Sequence, residues 1–146
     1  MSKKRKGPRR TKGKKPRNSA ARRLSVCVIA RDEARFLDAC LASVGGLADE
    51  VIVVDTGSTD DSKEVARRRG ARVFDEQWQD DFSHARNRAL REARGEWILV
   101  LDCDEVVAHS DHAALRALLR DEAHGAYRMT TRNYSTAVQH EGWTAC

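Results

Sequence analysis

The sequence predicts an α/β fold, a mostly parallel sheet with helices on both faces, preceded by a disordered basic tail. Three observations lead there. From Leu24 onward, short apolar runs alternate with apolar positions at helical spacing. The runs lack the in-out alternation of half-exposed strands, as strands buried on both faces do. Glycines at 45–46, 70 and 95 close the helical stretches, where the chain must turn back towards the sheet.

Taken in order, Leu24-Ser-Val-Cys-Val-Ile-Ala30 reads as the first strand. Phe36, Leu37, Cys40, Leu41 and Val44 recur at helical spacing and predict the first helix, ended by Gly45-Gly46. Val51-Ile-Val-Val-Asp55, β-branched up to its final Asp, is the second strand. Asp61 followed by Glu64 has the form of a capping box and opens a short helix that closes at Gly70. Arg72-Val-Phe74 makes a weaker third strand. Phe82, Ala85, Ala89, Leu90 and Ala93 form the next helical stripe, and Trp97-Ile-Leu-Val-Leu101 the fourth strand. Ser110 can cap a last helix that buries Ala114, Leu115, Leu118 and Leu119, and a fifth strand is expected near Ala126. No internal repeat interrupts this order.

Charge divides the chain. Residues 1–23 hold twelve Lys or Arg and no Asp or Glu, which leaves 15 of the 27 basic residues against 22 acidic ones elsewhere. A strongly positive arm is thus joined to an acidic body. With almost no apolar residues, and with Gly7, Pro8, Gly13 and Pro16, residues 1–23 cannot offset their ordering entropy and read as disordered. Residues 24–146 read as one domain with one core. The arm can touch nucleic acid, ribosomes or an anionic lipid surface, or serve only to solubilise. No apolar segment follows the charges as in a signal peptide, and the longest apolar runs are too short to span a bilayer. The expectation is a cytoplasmic protein without a transmembrane segment, with peripheral contact at the inner membrane face open to it. Cys27, Cys40, Cys103 and Cys146 form no CxxC pair and read as buried thiols.

Right-handed crossovers bring the C-terminal ends of parallel strands to one edge, where ligands of such sheets bind. There the first strand runs into Arg31-Asp32-Glu33, the second into Asp55-Thr-Gly57-Ser58-Thr-Asp60, and the fourth into Asp102-Cys-Asp104-Glu105. Each cluster alone also fits a helix cap or a solvated loop; three at one edge point to a polar ligand. Carboxylates at i and i+2 leaving a buried strand make a compact hard-oxygen site. It suits Mg²⁺ or Mn²⁺ and leaves places for phosphate oxygens. A turn in which Asp102 caps local amides is the alternative. Arg86 and Asn87 lie near the start of the third helix, where partial positive charge favours anions. Arg86 can contact a diphosphate or pair with Asp81 or Asp102. His84 reads first as a structural residue. Neither GxGxxG nor GxxxxGKS occurs.

In this order, Ser25-Val-Cys-Val-Ile-Ala-Arg-Asp-Glu33, Val53-Val-Asp-Thr-Gly-Ser-Thr-Asp60, Phe82-Ser-His-Ala-Arg-Asn-Arg88 and Gly95-Glu-Trp-Ile-Leu-Val-Leu-Asp-Cys-Asp-Glu105 resemble the signatures of family 2 glycosyltransferases. Their fold is the Rossmann-like GT-A sandwich. Asp32 stands where the family usually has Asn. Thr131-Arg-Asn-Tyr134 and Gly142-Trp143 also look like fragments of some members. The resemblance implies a nucleotide-sugar site. Asp55 would contact the nucleobase, with Asp32, Glu33, Gly57 and Ser58 shaping its pocket. Asp102 would lie near the ribose, Asp104 with Asp102 at the metal, and Arg86 with Asn87 by the phosphates. It further implies inverting, metal-assisted transfer from a nucleoside-diphosphate sugar to an acceptor hydroxyl on a glycan, lipid or protein. Mn²⁺ or Mg²⁺ would be the cofactor, and a carboxylate the base.

In that family the base lies well beyond the Asp-x-Asp, in an acceptor-binding half. Glu141 has no surroundings that support the role. The base is therefore expected outside this chain, the domain reads as C-terminally incomplete, and the last strand is expected to keep an open edge. A non-catalytic sugar-nucleotide binder stays open beside the enzyme. A nucleotidyltransferase would need a Gly-rich basic loop after the first strand, where Arg31-Asp-Glu-Ala34 stands. A nucleic-acid binder would have to act through the arm, because the body is acidic.

Overall fold

The computed structural model describes residues 23–132. The basic arm up to residue 22, and Tyr134, Glu141, Gly142, Trp143 and Cys146, lie outside the described residues. Strands β1 (Leu24–Ala30), β2 (Glu50–Asp55), β3 (Arg72–Asp75) and β4 (Trp97–Val100) alternate with helices α1 (Ala34–Ser43), α2 (Ser62–Arg68) and α3 (Phe82–Glu92). A 3-10 turn at His109–Asp111 then leads into α4 (His112–Leu118). The expected α/β class is what the chain adopts. Arg23, assigned above to the arm, already belongs to the body, since its carbonyl accepts from Trp97 N–H at 3.1 Å.

The sheet is wholly parallel, in the order β3-β2-β1-β4. The chain first steps outward from β1 to β3 and then returns to the opposite side of β1. The connections thus reverse direction between β1 and β4, which makes that gap the switch point where open α/β sheets bind ligands. Two apolar clusters, one on each face, replace the single expected core. Val26, Val28, Leu37, Leu41, Val53 and Val65 belong to the first, with α1 and α2 on that face. Cys27, Ile52 and Val54 pack with Ala85 and Ala89 of α3 in the second. Leu37 and Ile52, one from each cluster, are fully buried. Removing either to Ala would cost about 2–5 kcal/mol.

Several local expectations fail for identifiable reasons. The capping box does not form, because neither Asp61 nor Glu64 supplies a cap and Asp60 bonds Ser62 N–H instead at 2.9 Å. Ser110 lies inside the 3-10 turn, and its hydroxyl turns to Asp111 rather than to α4. Phe36, Phe82, Leu90, Ala114 and Leu118 are exposed despite their helical spacing. Leu119 is buried and Leu115 packs against the core, so α4 keeps only half its expected apolar face. No strand occurs from Ala126 to Arg132. Tyr127 packs on Trp97 with ring centroids 5.5 Å apart, and Thr131 bonds Glu105. Among the described residues no helix is long and apolar enough to cross a membrane.

Candidate functional site

Two loops meet beyond the ends of β1 and β2 and clamp each other. Asp32 turns the chain with φ +53°, a left-handed geometry that Asp and Asn tolerate better than most residues. Its Oδ1 accepts from Thr59 N–H at 2.6 Å, Thr59 Oγ1 at 3.1 Å and Asp60 N–H at 3.3 Å. In return Ser58 Oγ accepts Asp32 N–H, Ser62 Oγ accepts Glu33 N–H and Asp60 Oδ2 accepts Ala34 N–H, each near 3 Å. The bonds from Thr59 hold the Asp32 carboxyl below its ordinary value, and those from Ser62 and Ala34 do the same for Asp60. The amides that open α1 are therefore taken by side chains of the neighbouring loop. Asp32 thus braces the loop after β2, and its Oδ1 is committed to that loop.

Asp55 ends β2 as a buried carboxylate, 1% exposed. Its Oδ1 accepts Gly57 N–H at 3.1 Å and Ser58 N–H at 2.9 Å, with Lys63 Nζ 3.7 Å away. Gly57 has φ +109°, which a residue with a Cβ rarely adopts, so the turn that aims both amides at Asp55 requires glycine there. Asp55 Oδ2 is buried with no hydrogen-bond partner among the described residues. A buried carboxylate oxygen left unpaired is costly.

Across β1, Asp102, Cys103, Asp104 and Glu105 turn sharply after β4, with Glu105 N–H donating to Asp102 O at 3.0 Å. Glu105 Oε2 accepts Asp102 N–H at 3.1 Å and so braces the turn. Asp102 is not the cap of its own loop, as the turn alternative required. Its Oδ1 pairs with Arg86 of α3 at 3.1 Å. The structure thus realises the Arg86–Asp102 pairing, and it leaves Arg86 Nε buried without a partner among the described residues. Asp104 is exposed and bonds no described residue. Asn87 is exposed on α3 one residue beyond Arg86. His84 bonds Glu76 at 3.1 Å, a structural pairing. Among the described residues no three His, Cys, Asp or Glu side chains gather as a metal cage.

Asp55 and the Asp102 loop lie on strands either side of β1, about 10 Å apart at two strand spacings. The sequence reading missed Lys63, and it missed Asp60 as the residue that bonds both helix starts. The Asp60-x-Ser62 spacing was the available signal for the latter. It also missed Glu50, which braces the opposite edge by accepting from Ser25 Oγ at 2.6 Å and Arg94 N–H at 2.6 Å.

Comparison with known proteins matches residues 25–144 to the family described as glycosyl transferase family 2. A TPR repeat-containing protein of Synechococcus elongatus is 48% identical over 101 residues, 69% of this chain and 25% of that protein. The prophage-derived glycosyltransferase SunS of Bacillus subtilis is 30% identical over 95 residues, 64% of this chain and 22% of its own. Glucosyl-3-phosphoglycerate synthase from Mycobacterium tuberculosis, solved with uridine diphosphate, superposes with a TM-score of 0.58 at 28% identity. That match covers 69% of this chain and 41% of the synthase. The same synthase with Mn²⁺, uridine diphosphate and glucosyl-3-phosphoglycerate gives 0.51 at 29% identity, over 56% and 33% of the two chains. The chain spans about a quarter of the length of these curated relatives.

Proposed function

The chain belongs to glycosyl transferase family 2, and from that premise we propose that it binds the nucleoside-diphosphate sugar of an inverting, metal-assisted glycosyl transfer. The observation that supports this best is the pair of features either side of β1. One is the unpaired, buried Asp55 Oδ2; the other is the Arg86–Asp102–Asp104 group. The first suits a donor N–H on a nucleobase. The second suits ribose and diphosphate, with Arg86 offering charge-assisted contacts to phosphate oxygens. Gly57 and Ser58 hold Asp55 in place, and Asp32 and Glu33 hold the loop that carries them.

The residues present fit a divalent cation only in part. Asp104, exposed and unbonded among the described residues, and Asp102, with one oxygen on Arg86, offer two carboxylates. A cation there would complete its shell with phosphate oxygens and water, as Mg²⁺ and Mn²⁺ do. When bound it supplies positive charge against the departing diphosphate. Arg86 supplies charge from the protein side. The Mycobacterium synthase was crystallised with Mn²⁺ and uridine diphosphate, which favours the same pair of ligands here. Acceptor deprotonation is assigned to a carboxylate outside residues 23–132, as the family resemblance implies.

Calorimetric titration of uridine and guanosine diphosphates, with and without Mn²⁺, tests the reading. Binding is expected to need metal and to be lost in Asp104→Ala while the fold survives. A folded wild-type chain that binds neither nucleotide would sink it.

A further inference from the structure

Lys63 is the second residue of α2, a position where the helix start disfavours a cation. Two carboxylates from adjacent strands compensate. Its ammonium lies 2.9 Å from Asp75 Oδ1 and 3.7 Å from Asp55 Oδ1. Asp55 and Asp75 are register partners at the ends of β2 and β3, and Glu76 N–H donates to the Asp55 carbonyl at 2.8 Å. Asp75 is exposed and can be solvated by water; Asp55 is buried and cannot. The buried partner therefore depends on the cation more than the closer, exposed one does. The hydrogen bond to Asp75, with the Asp55 charge adding to it, raises the Lys63 pKa, so the ammonium persists at neutral pH.

We infer that Lys63 is a positioning residue for base selection. It neutralises the Asp55 carboxylate from the Oδ1 side and leaves Oδ2 as an acceptor for a base N–H. The inference rests on the donor-site reading above. Gly57 and Ser58 already fill Oδ1, so the cation approaches the oxygen the ligand does not need. An acceptor-only oxygen favours uracil, with its N3–H, and guanine, with its N1–H. It disfavours cytosine and adenine, whose equivalent ring nitrogens carry lone pairs, because two acceptors would face each other. Donor choice by base edge is thereby tied to a residue that need not touch the donor.

The experiment measures uridine and cytidine diphosphate affinity by calorimetry, with Mn²⁺, for wild type, K63M, K63Q, K63R and D75N. K63M and K63Q both remove the charge, and Gln keeps a donor for Asp75, so one remains informative should the other fail to fold. Both are expected to lose roughly three- to tenfold of uridine diphosphate affinity with little change for cytidine diphosphate, so the ratio falls. K63R restores the ratio, and D75N keeps it. The Mn²⁺ requirement stays the same throughout. An unchanged ratio in folded K63M and K63Q overturns the role of Lys63 and leaves the donor site standing. A wild-type chain that binds no uridine diphosphate removes the donor site, and the inference with it.

Discussion

Gly95 precedes β4 where the chain passes close to β1, and Gly95→Ala tests how tightly that passage is packed. A Cβ at Gly95 would stand 2.5 Å from Ser25 Oγ, 2.7 Å from Ser25 N and 2.8 Å from Arg23 O. The hydroxyl cannot step aside freely. It accepts Gly95 N–H at 2.8 Å and donates to Glu50 at 2.6 Å. Arg23 O is occupied by Trp97 N–H, the amide that starts β4. Overpacking of this kind costs about 1–3 kcal/mol, and losing the Ser25–Gly95 bond adds about 1 kcal/mol. We expect a loss of about 3 kcal/mol, or roughly a 10 °C fall in Tm for a domain of this size. Thermal melts followed by circular dichroism measure it, with Gly125→Ala as control because nothing lies within 4 Å of its added carbon. The double variant S25A/G95A should recover little, since two of the three short contacts are to backbone. A G95A protein within about 1 kcal/mol of wild type, or one fully rescued by S25A, would refute the reasoning.

Two further outcomes are expected. Asp32→Ala should destabilise the chain, while Asp32→Asn, which keeps an acceptor and tolerates positive φ, should not. Because the folded Asp32 carboxyl is depressed, its contribution is present above the ordinary value of 3.8 and is lost as pH falls below it. Denaturant melts of wild type and Asp32→Asn at descending pH would show a flatter profile in the variant, and parallel profiles would contradict this. Burial raises Cys27 to about 11 and Cys40 to about 12, so neither should react with a disulfide reagent at pH 8 until the protein unfolds. Peptide mapping that found Cys40 labelled in the native state would contradict that.

The strands were legible in the sequence because a buried strand needs only an apolar run, and Leu24–Ala30 and Val51–Asp55 are long enough to be unambiguous. The acidic clusters were legible because parallel strands must end together. What escaped notice depends on contacts between segments distant in sequence. Asp60 rather than Asp61 bonds both helix starts because its second oxygen is claimed by Ala34, twenty-six residues earlier. Phe82 looks like core by spacing, yet α3 packs over β1 and β2 through Ala85 and Ala89, and Phe82 stays exposed with its ring against Trp78. Lys63 sits in a helix start that sequence reading assigns to acids, and only the register of β2 with β3 explains it.

The Arg86–Asp102 contact has a thermodynamic corollary for any donor bound at this edge. A cation arriving alone finds one of its two carboxylates already paired and a guanidinium beside it. A nucleotide arriving alone brings its phosphates to a pair of aspartates. On the proposed reading, a diphosphate would take over the guanidinium and the freed carboxylate would face the cation, so each ligand would remove the other's obstacle. By linkage, the factor by which Mn²⁺ tightens the nucleotide must equal the factor by which the nucleotide tightens Mn²⁺. Replacing Arg86 by a neutral residue should shrink both by the same amount, whichever ligand is titrated.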